Sequence, residues 1–127
     1  VSNYVLDASA ILALLNNQPG SEMVVNVLTE TVISSVNLSE VIAKLADSGM
    51  SEIQVREVIS ALGLEVVPFD IAMAYHAGIL RPLTRSVGLS FGDRACLSLG
   101  KSLGLPILTT DRVWADLNLG VNVQVIC

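Results

Sequence analysis

"GLSFGDRACLSLGKSLGLPILTTDRVWADL", residues 88–117, is the stretch whose reading decides the fold. Ala95, Leu99 and Leu103, with Cys96 beside them, recur at the spacing of a buried helical stripe, and Ser90 with Asp93 approximates a capping box at the start of that helix. "PILTT" (106–110) then reads as a short buried strand. Asp111 stands at its carboxyl end, with another helix expected behind it. In open α/β sheets ligands bind beyond the carboxyl ends of the strands, so an acid at that place raises the question of chemistry.

Working outward, "YVLDASAIL" (4–12) repeats the design, with Asp7 ending an apolar run and a helical pattern following. "NYVL" (3–6), "TVISS" (31–35), "LEVVPF" (64–69), "PILTT" and "NVQVI" (122–126) are the five expected strands. Leu38, Val41, Ile42 and Leu45 mark one intervening helical stripe, and Ile53, Val58, Ile59 and Leu62 another. Strands alternating with helices imply right-handed crossovers and a largely parallel sheet covered on both sides. The connections, such as "NNQPGS" (16–21) and "DSGMS" (47–51), are short, and no repeat or low-complexity tract interrupts them, so residues 1–127 are expected to form a single domain.

A chain of 127 residues can bury roughly two-thirds of its unfolded surface. Its residues are 52% hydrophobic and only 15% charged, against a usual charged share of about a quarter. A doubly covered parallel sheet explains part of that excess, and apolar surface buried against a partner is expected to explain the rest. The longest apolar run, "ASAILALL", stops at Asn16 and Asn17, well short of the roughly 20 residues of a membrane span. The start "VSNYVLD" has no basic region, and Cys96 and Cys127 resemble neither a disulfide framework nor a metal pair. A soluble protein of the reducing cytoplasm is expected. The net charge of -5 argues against nucleic acid at first sight. Two divalent cations held by clustered acids would bring it to about -1 and weaken that objection.

Each acid has an innocent explanation. Asp7 and Asp111 could cap helices, Asn37 with Glu40 has the spacing of a capping box, and Glu40 with Lys44 is a favourable surface pair. Asp70 also follows a strand-like run, and spacing alone gives no reason to set it apart. Taken jointly, Asp7, Glu40, Asp93 and Asp111 suggest something else, because Ser, Thr or Asn would cap without gathering negative charge. Converging carboxylates need a counter-ion, and they suit Mg²⁺ or Mn²⁺.

The sequence resembles the PIN-domain ribonucleases, and in particular the VapC-type toxins of bacterial toxin-antitoxin pairs. Residues 88–117 are similar to that family's third-acid helix and fourth-acid strand in uninterrupted register, while "VLDASAIL" and "SSVNLSEVIAKL" (34–45) resemble its first- and second-acid motifs. The resemblance implies a three-layer PIN-like α/β fold with a central, mainly parallel five-stranded sheet flanked by helices. It further implies that Asp7, Glu40, Asp93 and Asp111 are the metal-site and catalytic acids, with Ser9 and Thr109 as supporting hydroxyls. Asp70 then reverts to a helix cap, and Asp116 is at most a distant support. The implied activity is endonucleolytic cleavage of RNA with Mg²⁺ or Mn²⁺. The implied partners are the RNA substrate, a cognate antitoxin protein and a second copy in a homodimer.

Among the seven basic residues, Arg81, Arg85, Arg94 and Arg112 are the expected contacts to RNA phosphates. Trp114 and Phe91 are expected in packing, and His76 on a helix surface. A metal-free ribonuclease would usually want a histidine pair, and His76 is alone. An aspartyl-phosphate enzyme of the haloacid dehalogenase type would want an acid where Ser9 stands. The remaining rival is a catalytically silent PIN-like module that binds a protein, its acids serving only as caps.

Overall fold

Along a strand successive side chains point to opposite faces, so a strand buried on both faces feeds two cores at once. The computed structural model describes residues 2–127 and follows that rule. Val5, Val32 and Ile107 enter one core, while their neighbours Leu6, Ile33 and Leu108 enter the other. All six are at most 3% exposed.

The order is β1 (Tyr4–Leu6), α1 (Ala8–Leu15), α2 (Ser21–Val27), β2 (Thr31–Ser34), α3 (Ser35–Asp47), α4 (Glu52–Leu62), β3 (Glu65–Val67), α5 (Ile71–Thr84), α6 (Phe91–Leu103), β4 (Ile107–Thr109) and β5 (Val123–Val125). The five strands lie in the order β3-β2-β1-β4-β5, and every pair is parallel. Ile11, Val24 and Val41 carry α1 to α3 onto one face, with Ile59 of α4 at the margin. Leu80, Cys96, Leu97 and Leu99 carry α5 and α6 onto the other, where Trp114 completes the core. The expected three-layer α/β architecture is therefore present, and the sheet is parallel throughout.

This topology has a direct consequence. From β1 the chain moves outward to β2 and β3, then crosses back to β4 on the other side of β1. Right-handed crossovers in opposite directions must use opposite faces, which leaves a crevice at the carboxyl ends of β1 and β4. Helix α6 comes close to β4 because Gly100 is bare; a Cβ there would overlap the Ile107 side chain.

Several expectations change in detail. The strands are each shorter than their apolar runs; β3, read as 64–69, is Glu65–Val67, because Pro68 lacks a ladder N–H. No α-helix follows Asp111, only a 3-10 turn over Arg112–Asp116 that lays Trp114 into the core. On α4 the buried residue is Val55, whereas Ile53 is 71% exposed. Ile42 and Leu103 also emerge from their expected stripes as exposed residues. Asn37 and Glu40 form no capping box, since α3 starts earlier, at Ser35, with Ser34 as its cap accepting from the Val36 N–H.

Candidate active site

Asp7 follows the last residue of the central strand, and its N–H continues the ladder to the Leu108 carbonyl (3.0 Å). It occupies the N-cap position of α1, yet its side chain caps nothing. Instead Oδ2 accepts hydrogen bonds from the Ser9 hydroxyl (2.6 Å) and the Thr109 hydroxyl (3.0 Å). Those two oxygens are themselves 3.2 Å apart, and each also accepts a backbone bond, Ser9 Oγ from the Thr110 N–H and Thr109 Oγ1 from the Asp111 N–H. The first turn of α1 and the end of β4 are thereby knitted around one carboxylate.

That carboxylate is 6% exposed. Burial raises its pKa most; the Ser9 and Thr109 bonds pull it back, and the neighbouring charges of Asp93 and Glu40 raise it further, leaving it at about 6. Complete burial, with the charges of Asp7, Asp93 and Glu40 added, lifts the Cys96 thiol well above its usual value, so Cys96 is a packing residue.

Asp7, Glu40, Asp93 and Asp111 line one open cleft of about 430 Å³, with Ser9, Thr110, Leu12, Ala8 and Lys44. Asp93 keeps its capping box with Ser90, its Oδ2 accepting the Ser90 N–H (2.9 Å). Asp111 Oδ1 accepts the Val113 N–H (3.0 Å). Asp70 is a plain cap of α5, accepting from the Met73 N–H (2.9 Å). Innocent roles are thus real for Asp93, Asp111 and Asp70, and absent for Asp7.

The arginines behave less uniformly than expected. Arg94 gives one guanidinium N–H to the Ala77 carbonyl (3.0 Å) and lies 5.8 Å from the Phe91 ring centre, which ties α6 to α5. Arg81, Arg85 and Arg112 are exposed. Among the described residues the cleft lining holds no arginine; its cation is Lys44. Sequence reading passed over Lys44 as the partner of Glu40, although the same spacing places both on one side of α3. No ion pair joins them; among the described residues the ion pair is Arg56 with Glu52. Phe91 is half exposed and meets Phe69 edge-on, and His76 is exposed.

The donor set suits a hard cation. Every acidic group in the cleft offers oxygen, and an acid pushed up to about 6 by burial, with its charged neighbours adding to the rise, would be relieved by positive charge. Among the described residues no three acids, histidines or cysteines close into a ready cage. An open arrangement fits Mg²⁺, which keeps several waters and takes one or two carboxylates.

The PIN domain family profile matches residues 4–118. The chain belongs to the PIN domain family. The PIN fold is matched over the whole length of a chain in the DNA-bound VapBC structure from Salmonella typhimurium, at a TM-score of 0.79 and 23% identity, covering 100% of both chains. A chain of Rickettsia felis VapBC2, bound to a fragment of its promoter DNA, gives 0.76 at 18% identity, covering 95% of this chain and 96% of that one. A chain of VapBC-1 from nontypeable Haemophilus influenzae gives 0.69 at 22%, again covering 95% and 96%. At these identities the likeness is one of fold. No curated protein sequence matches this PIN domain significantly.

Proposed function

We propose that this PIN domain is a metal-dependent endoribonuclease and the toxin of a type II toxin-antitoxin pair, using Mg²⁺ or Mn²⁺. One observation carries the reading: Asp7 is a buried acid that declines the capping role its position offers and is held in a cleft with Glu40, Asp93 and Asp111. Nothing in folding alone rewards that arrangement, because burial and two neighbouring charges oppose its ionisation.

A divalent ion bound among these oxygens would acidify its water and place positive charge against the phosphate. The chain's own part is positioning. Ser9 and Thr109 fix the Asp7 rotamer by donating to Oδ2, and Asp7 and Asp111 would hold the ion. Asp93, with Oδ2 engaged by the Ser90 N–H, offers Oδ1, and Glu40 approaches from α3. Lys44 and the exposed Arg112, beside Asp111, are the phosphate contacts this geometry favours; Arg81 and Arg85 serve RNA farther out, and Arg94 is committed to α5.

Two apolar surfaces fit the partners of a toxin. A groove of about 750 Å³ between α3 and α4, lined by Leu38, Ile42, Val55 and Ile59, adjoins the helix that carries Glu40 and Lys44. It would take an apolar segment of the antitoxin, with a basic side chain reaching the acids. Ile71, Tyr75, Ile79 and Leu83 form a stripe along α5, each at least 60% exposed, and would pack against a second copy. No helix among the described residues is long and apolar enough to cross a membrane, which accords with action in the cytoplasm.

The test is cleavage of a mixed RNA pool by the purified protein with Mn²⁺, with chelator, and by Asp7→Asn checked for folding. Cuts that need the metal and vanish with Asp7→Asn are expected. A silent binding module, for which the satisfied caps at Asp93 and Asp111 speak, would give no metal-dependent turnover with any RNA class.

A further inference from the structure

Glu40 has a long side chain and belongs to an exposed stretch of α3, so nothing in its position on the helix fixes its carboxylate. What fixes it lies beneath. Asn37, one turn earlier and fully buried, donates its amide N–H groups to Glu40 Oε1 (2.8 Å) and to the carbonyl of Gly92 (3.0 Å), in the first turn of α6. Gly92 forms the other wall. Its backbone is ordinary helix, where glycine costs about 1 kcal/mol relative to alanine, but a Cβ at that place would overlap the Glu40 carboxylate.

From these two independent features we infer that Asn37 and Gly92 form a seat for the Glu40 carboxylate, and that Asn37 is a positioning residue of the site. The inference rests on the proposed nuclease reading, since it gives the seat its purpose. Folding economy does not explain it. Asn37 Oδ1 is buried without a hydrogen-bond partner, a condition that ordinarily costs about 1–3 kcal/mol, and an apolar residue at this place in α3 would avoid it. Lys44 is not the fixing partner, as it makes no ion pair with Glu40. The seat also ties α3 to α6, so that Glu40 and Asp93 enter the cleft from helices joined at one point.

The experiment is Mn²⁺ titration of the purified protein, with free Mn²⁺ read by electron paramagnetic resonance, for wild type, Asn37→Leu, Gly92→Ala and Val24→Ala. Asn37→Leu keeps the branched heavy-atom skeleton and removes both donors, whereas Gly92→Ala improves local helix propensity and fills the seat. Val24→Ala opens a cavity beneath α2, away from the cleft, and controls for lost stability. The seat predicts affinity weakened by about 10- to 100-fold in both seat variants, with Val24→Ala within twofold of wild type. Should Asn37→Leu fail to fold, Gly92→Ala decides alone. Wild-type affinity in the folded seat variants would overturn the seat and leave the nuclease reading standing. Absence of Mn²⁺ binding by the wild type would instead overturn the nuclease reading, and the seat with it.

Discussion

The junctions β1–α1 and β3–α5 look alike in sequence, each an apolar strand, an aspartate and a helix, yet they do different things. Asp70 is exposed and accepts the Met73 N–H as a helix cap. Asp7 is buried, takes no backbone N–H of its own helix, and accepts two hydroxyls, one of them 102 residues away. The difference comes from where the strands lie. β3 is at the edge of the sheet, while β1 is at its centre, next to β4, where the chain reverses its direction of travel. At an edge an acid meets water; at the crossover point it meets the end of a second strand, with Thr109 waiting.

The largest expected effect separates the two acids by activity. Asp7→Asn should lower RNA cleavage by roughly 10³-fold or more, about 4 kcal/mol of transition-state stabilisation, while Asp70→Asn leaves it within twofold in the same metal-dependent assay. Equal losses would erase the distinction.

Stability should move the opposite way. Folding raises the Asp7 pKa from the ordinary 3.8 to about 6, so the folded protein holds this proton more tightly than the unfolded chain does. Its contribution therefore becomes unfavourable as pH climbs through that window and stays so above it, by about 3 kcal/mol at 1.36 kcal/mol per unit. Asp7→Asn is expected to stabilise the metal-free protein at pH 7 by about 1–3 kcal/mol, with the gain disappearing below about pH 4. Urea unfolding at the two pH values in chelator checks this, and destabilisation at pH 7 would contradict it.

Removing one supporting hydroxyl sharpens the comparison. Thr109→Val should cost about tenfold in kcat/KM and shift the acid limb of the rate profile upward, since a bond favouring the carboxylate is lost. An unmoved limb would mean that Thr109 acts only through packing. The smallest effect belongs to the edge: Asp70→Ala should lower stability by about 1 kcal/mol in thermal unfolding, without touching metal response.

Much of this was legible beforehand. Short apolar runs and 3.6-residue stripes are local signals, and they located all five strands and the helices α3, α4 and α6. The resemblance carried by residues 88–117, together with "VLDASAIL" and "SSVNLSEVIAKL", singled out the acids that line the cleft. Element ends were less legible, because Pro68 and the early start of α3 at Ser35 shift them. Lys44 was visible but misread as a surface pair, and Asn37 was taken for a cap. Their actual neighbours, the cleft and Gly92, belong to other parts of the chain.

By itself, then, the sequence determined the alternation of strands and helices, the apolar faces that must be buried, and which acids end or follow strands, all of which depend on neighbours within a few residues. Only the tertiary structure decided which of those acids is a cap and which is not, that Arg94 serves packing and Lys44 the cleft, and that Glu40 rests on Asn37 and Gly92. The physical reason is that a carboxylate's role is set by what desolvates it and what donates to it, and at Asp7 the decisive donor arrives from the far end of the chain, across a sheet order that no local pattern encodes.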